Sequence, residues 1–290
     1  MTGGPVRPIA HFDPEWGARV AEFCARAYAE HTAMAPSSVG QPGYALAADA
    51  ALDCGLVTCA LGAAPGDVRV WVARAAQALG EVFRLRGTAP GLQSIVVTGQ
   101  DGDLQAMASS SVDDSLTNSS RGLLGMYTAL VAGDRDLAER TASLVDDPPD
   151  PPSSGPPSEA GTTAERQLAG ALKALLLGQD ATAVFRAGGP AGAPPSIGAQ
   201  GAALRALVSR DRPVFLDALR KLLAAHAEEA GDERNAREPR LLMSLPGLGL
   251  SALALALGLL EPDQLPAGDV YLPLEIIRPL HEASDGELPA

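Results

Sequence analysis

The stretches ALVAGDR (residues 129–135) and ALVSRDR (residues 206–212) say nearly the same thing twice in one chain. Each runs from an apolar helix end, Ala129-Leu130-Val131 or Ala206-Leu207-Val208, through a short turn to an aspartate, Asp134 or Asp211. An aspartate there predicts an N-cap, because its carboxylate can accept the free backbone N–H groups of the next helix. The helix after Asp134 then carries Leu137 and Leu144, and the one after Asp211 carries Phe215, Leu219, Leu222 and Leu223. Pro213 is compatible with the second start, since the first helical turn needs no N–H donor there.

Looser versions occur twice more. In ALLLGQDATAVFRA (174–187), Gly178 ends a helix expected to begin at the capping pair Thr162 and Glu165. In ALGAAPGDVRVWVARAAQAL (60–79), Asp67 is the expected cap, with Val70, Trp71, Arg74, Ala75 and Leu79 behind it. The phrase therefore reads as the elbow of a helical hairpin, at spacings that do not form a fixed period. The expected fold is all-α, an irregular array of helical hairpins with tetratricopeptide-like stacking. One exception is expected: QSIVVTGQDGDLQAMAS (93–109) reads as a small β-hairpin turned by Asp101-Gly102.

At 290 residues the chain can form one large or two small domains. DDPPDPPSSGPPSEAG (146–161) carries six prolines and reads as an exposed linker between an N-terminal helical region, 1–145, and a C-terminal one, 162–290. The two regions either stand apart or pack as one superhelical domain. Only 4% of residues are aromatic, which argues against a β-sandwich and for helices packed through Leu and Ala. With 35 acidic against 22 basic residues the net charge is −13. Such a surface repels nucleic acid and anionic membrane and favours a basic partner; it also keeps an Ala/Leu-rich protein soluble. Cys24, Cys54 and Cys59 have no CxxC spacing and read as reduced, mostly buried thiols of a cytoplasmic protein. The N-terminal residues contain no apolar core of the kind a secretory signal needs.

Several motifs invite a functional reading. DDPPD (146–150) matches the aspartate-rich pattern that binds magnesium-diphosphate, but its prolines forbid the helix wall those carboxylates require. GLGLSA (247–252) fits a dinucleotide fingerprint, with Asp269 some twenty residues on, yet no second βαβ half follows. LLMSLPGLGLSALALALGLL (241–260) has no charge and is preceded by Arg234, Arg237 and Arg240, as a membrane span would be. Pro246, Gly247 and Gly249 shorten it to an apolar helix from about Leu248 to Leu260, which favours a buried helix over a span. NSS (118–120) is a formal glycosylation sequon. His226 falls on the apolar stripe of Phe215, Leu219 and Leu222, the place of a hydrogen-bonded core histidine rather than a catalyst. In GDVYLPLEIIRPL (268–280), Tyr271 and Leu272 are placed to staple the last segment to the core.

The stretch from about 204 to 280 carries a resemblance. LRALVSRDRPVFLDALRKLLAAHAEEA, LLMSLPGLGLSALALALGLL and DVYLPL together resemble the immunity protein 49 family of bacterial polymorphic toxin systems. The matching positions are Phe215, His226, Pro246, Leu250, Asp269, Tyr271, Leu272 and Pro273. The Ala-Glu-Glu after His226 departs from the basic and aromatic residues that the family pattern leads one to expect. The resemblance implies a mostly α-helical, non-enzymatic protein, without cofactor or metal, that neutralises a cognate toxin by binding it. A basic toxin such as a nuclease domain would suit the acidic balance, with His226, Asp269 and Tyr271 as partner contacts. The competing expectations are a tetratricopeptide-like scaffold or regulator binding peptides or proteins, and a helical enzyme using DDPPD or the glycine turn.

Overall fold

The structure, a computed structural model, describes residues 12–34, 40–86, 92–99, 102–109, 114–145, 158–182 and 194–277. Its α-helices are α1 (Pro14–Met34), α2 (Gly40–Ala60), α3 (Pro65–Arg86), α4 (Ser119–Ala132), α5 (Arg135–Leu144), α6 (Ser158–Leu176), α7 (Pro195–Ser209), α8 (Arg212–Ala230) and α9 (Leu245–Ala256). Among the described residues the protein is all-α apart from one antiparallel hairpin, β1 (Leu92–Gly99) with β2 (Gly102–Ser109). Gly102 pairs with Gly99 and belongs to β2, whereas Asp101, the other residue of the expected turn, lies outside the described residues.

The repeated phrase is a helix stop. At ALVAGDR the Gly133 N–H donates to Leu130 O and the Asp134 N–H to Ala129 O; at ALVSRDR the same bonds run from Arg210 to Leu207 and from Asp211 to Ala206. This paired closure takes up carbonyls that the helix itself leaves unsatisfied. It recurs at Gly178–Gln179, at Gly62–Ala63 and, unforeseen from the sequence, at Gly258–Leu259. The residue at the turn lies at φ 79° in Gly133 and 57° in Arg210, the left-handed region where a side chain is strained. Arg210 is the one non-glycine there among the described residues, and its Nη1 donates to Leu257 O at 2.8 Å, tying this elbow to the end of α9. Asp134 Oδ1 then accepts from the Leu137 N–H at 2.8 Å and Asp211 Oδ1 from Val214 at 3.1 Å, as the spacing predicts. Asn118, in the formal sequon, caps α4 in the same way, accepting from the Arg121 N–H at 2.9 Å.

Two other starts differ from expectation. α3 begins at Pro65, whose missing N–H suits a first position, so Asp67 lies inside the first turn and favours the helix through its charge rather than as a cap. Behind it Val68, Val72, Ala75 and Leu79 are buried while Val70 is exposed. α6 begins at Ser158, directly after the last proline of the linker, so Thr162 is an interior residue and not a cap. Positions 158–161 thus belong to a helix; the rest of the 146–161 linker, DDPPD included, lies outside the described residues.

Successive helices pack side by side, α1 on α2, α2 on α3 and α7 on α8. α4 is the hub, touching α3, α5, α6 and α9, and one apolar cluster runs from Tyr28 through Met126 and Leu172 to Ile276. Small residues set the closest approach: a Cβ at Gly249 of α9 would lie 2.7 Å from Tyr127 Cδ1 and 3.1 Å from Tyr127 Cα on α4. Burial here comes from Leu and Ala surfaces meeting at short interhelical distance, the dominant favourable term in such a core.

Candidate functional site

α8 presents Phe215, Leu219, Leu222 and His226 inward, all buried, as their spacing predicts. His226, 8% exposed, ends this stripe. Its Nε2 lies 3.0 Å from Leu241 O. A carbonyl only accepts, so Nε2 carries the proton and Nδ1 is left as an acceptor. The ring meets Tyr271 edge-on, with centroids 5.0 Å apart. Tyr271, 6% exposed, is held by the segment around it. Asp269 Oδ1 accepts from the Tyr271 N–H at 2.9 Å, and Asp269 O accepts from the Leu272 N–H at 3.1 Å. The Ser244 N–H donates to Tyr271 O at 2.8 Å, while Ser244 Oγ caps α9 by accepting from Gly247. Leu272 in turn packs over Gly247, where a Cβ would come within 3.3 Å of its Cδ1.

His226, Asp269 and Tyr271, separated in sequence, are thus brought together around the start of α9. His226 and Tyr271 face inward; Asp269 is half-buried at the edge. Burial lowers the His226 pKa, opposed by the bond to Leu241 and by nearby Glu229 and Asp269, and burial also raises that of Tyr271. At neutral pH the arrangement holds a neutral imidazole against a neutral phenol, which suits a packed staple rather than proton transfer.

This staple fixes one side of the connection between α8 and α9, residues 231–244. The other side is held by charges that the sequence reading missed. Arg240 Nη2 donates to Asp49 Oδ1 at 2.6 Å, and Arg121 Nη2 donates to Asp49 Oδ2 at 3.0 Å. Arg240 Nε stands 3.7 Å from Asp53 Oδ1, an oxygen that is buried and accepts no hydrogen bond from the described residues. Burial raises the Asp53 carboxyl to about 6 despite the attraction of Arg240, with Asp49 and Glu238 adding to the rise. A signal for this network was present: Asp49 and Asp53 are the only charges in the whole of α2 and lie four apart, on one helical face.

Between these anchors the connection exposes Glu233, Arg234, Arg237, Glu238 and Arg240. Asp232 caps a short 3-10 turn at Glu233–Asn235 and pairs with Arg234, whose bonds draw its carboxyl down to about 2. A charged loop pinned from both sides would lose little conformational freedom on binding a partner.

The other motifs resolve into packing. GLGLSA lies inside α9, with Gly247 against Ser244 and Leu272 and Gly249 against Tyr127. Pro246 sits in the first turn, so α9 spans Leu245–Ala256, three residues earlier than expected at its start. At 12 residues it is about 18 Å long, short of the roughly 30 Å hydrocarbon core of a bilayer, and nearly all of it is buried. Among the described residues α2 is the one helix long and apolar enough to cross a membrane, and 67% of that apolar stretch is buried in the protein. The three cysteines are free; burial raises Cys24 and Cys59 to about 11 and Cys54 to about 12, so none is a poised thiolate. Among the described residues no group of three or more His, Cys, Asp or Glu side chains is placed to hold a metal ion.

Neither the curated proteins nor the solved structures contain a match to this chain. A model of the immunity protein 49 family matches residues 66–276, from the first turn of α3 to the segment that staples Tyr271 against His226. That stretch is well over half of the chain and contains every position through which the sequence resembles the family. The chain belongs to the immunity protein 49 family.

Proposed function

We propose that this immunity-family protein acts by binding one cognate toxin stoichiometrically and blocking it, without chemistry of its own. The observation that carries this reading is the family match over 66–276. The net charge of −13 supports a basic toxin domain, such as a nuclease, because complementary charge speeds encounter. The contact surface we assign is the pinned connection 231–244 together with Asp269, which reaches solvent beside it. In this reading Asp269 touches the partner, while His226 and Tyr271 act behind it as positioning residues. Three free, unreactive thiols support action in a reducing cytoplasm.

The test is an affinity pull-down of the tagged chain from its native lysate at moderate salt, with mass spectrometry of what co-elutes. The expected result is a single near-stoichiometric partner with a basic toxin-like domain, whose affinity falls about tenfold or more in Asp269→Asn, which keeps the Oδ1 acceptor for the Tyr271 N–H, without a change in melting temperature. Several substoichiometric partners would instead favour a helical scaffold, a reading the recurrent elbows support. A thermal shift with magnesium or NAD would revive the enzyme reading, because a ligand binding only the folded state raises its stability.

A further inference from the structure

α1 stands at one end of the helix sequence and packs chiefly on α2. Cys24, Tyr28 and Thr32 lie on its packed face and are buried. Trp16, Arg19, Phe23, Arg26 and Glu30 recur at helical spacing on the opposite face. Phe23 lies near the middle of that face and is 63% exposed, more than any other large apolar side chain among the described residues.

A single exposed apolar residue is ordinary, but three features set this face apart. The chain is poor in aromatics, yet Phe12, Trp16 and Phe23 fall in one short run, with Phe12 edge-on to Trp16 at 6.2 Å. Half-buried Trp16, Val20 and Ala27 flank Phe23, giving an apolar centre with a charged rim, the usual anatomy of a protein interface. The rim is also self-complementary. Laid antiparallel on itself with the crossing between residues 24 and 25, the face puts Arg19 opposite Glu30 of a second copy and Phe23 opposite Arg26. A twofold axis repeats both contacts. Each unlike-charge pair is attractive, and a guanidinium over a phenylalanine face is a favourable cation–π contact. No like charges stand directly opposite one another in this register.

We infer that the protein self-associates as a twofold dimer through the outward face of α1, with Phe23 at the centre and Arg19–Glu30 pairs at the rim. α1 precedes the residues that match the family, and its outward face includes no residue of the 231–244 connection and not Asp269. A single helix pair falls below the roughly 1,200 Å² of a standard stable interface, so the dimer is reversible, with a Kd on the order of micromolar.

The experiment is sedimentation velocity on the full chain from about 1 to about 200 µM, a range that brackets a micromolar Kd. The expected result is a concentration-dependent shift from monomer to dimer, weakened by salt. Phe23→Lys, which faces Arg26 with a like charge, raises the Kd about tenfold or more, and Arg19→Glu and Glu30→Arg each weaken the dimer. The double variant Arg19→Glu/Glu30→Arg restores it, because the exchange rebuilds both rim pairs with their signs reversed. All four variants keep the wild-type melting temperature, since the side chains are exposed. A wild-type chain that sediments as a monomer throughout overturns the inference, and so does a dimer indifferent to Phe23→Lys or not rescued by the double exchange.

Discussion

Replacing Asp53 by Asn should stabilise the protein at neutral pH, although it removes a charge standing 3.7 Å from an arginine. The carboxyl is raised from 3.8 to about 6 chiefly by burial, with Asp49 and Glu238 opposing its charge and Arg240 favouring it. A folded pKa above the unfolded one means that ionisation works against folding. The penalty is absent below about pH 4, grows as pH rises through about 6, and is complete above that. Its upper limit is about 3 kcal/mol. The Asp53 side chain is 26% exposed, so solvent screening brings the expected effect to about 1–2 kcal/mol. Asn keeps the shape and cannot ionise. Thermal unfolding at pH 7.5 should therefore show Asp53→Asn more stable than wild type, with a Tm about 2–5 °C higher. At pH 4 the difference should nearly vanish. A variant less stable than wild type at pH 7.5 by about 1 kcal/mol or more would refute the reasoning and show that the Arg240 pair outweighs desolvation.

Three further outcomes follow from the packing and the caps. Asp134→Ala and Asp211→Ala should each cost about 1 kcal/mol in chemical unfolding, adding to about 2 in the double variant because the caps share no partner. Gly249→Ala should lose about 1–3 kcal/mol from its clash with the backbone of Tyr127, outweighing the roughly 1 kcal/mol that alanine gains in a helix. His226 opposes acidification: burial depresses its pKa below 6.5, so stability is lost as pH falls from 6.5 through the folded value. In the Asp53→Asn background that loss should dominate the unfolding curve between pH 6.5 and about 5, above the range where carboxylates such as Asp232 titrate, and His226→Gln should abolish it.

Local signals were legible wherever a single turn of chain carries them. A helix stop followed by a capping aspartate needs only adjacent residues, so the elbows at 129–135 and 206–212 could be read directly, and so could the buried stripe that ends at His226. Asp67 and Thr162 misled because a cap is defined by where the helix begins. Pro65 and the end of the 146–161 proline run moved those beginnings upstream. Burial of 245–256 followed from its composition, but its start did not, because Pro246 is equally at home before a helix and in its first turn.

The sequence by itself therefore determined the helical class, the elbows and most inward faces, since these rest on spacing and on bonds between near neighbours. Only the tertiary structure decided that α4 is the hub, that Gly249 lies on Tyr127, and that Asp49 and Asp53 meet Arg121 and Arg240. It also decided that His226, Asp269 and Tyr271 form a staple at the start of α9. Such contacts join residues far apart in the chain. Leu- and Ala-rich helix surfaces offer many nearly equivalent partners, and the choice among them is made by shape and by the few buried charges that must be matched.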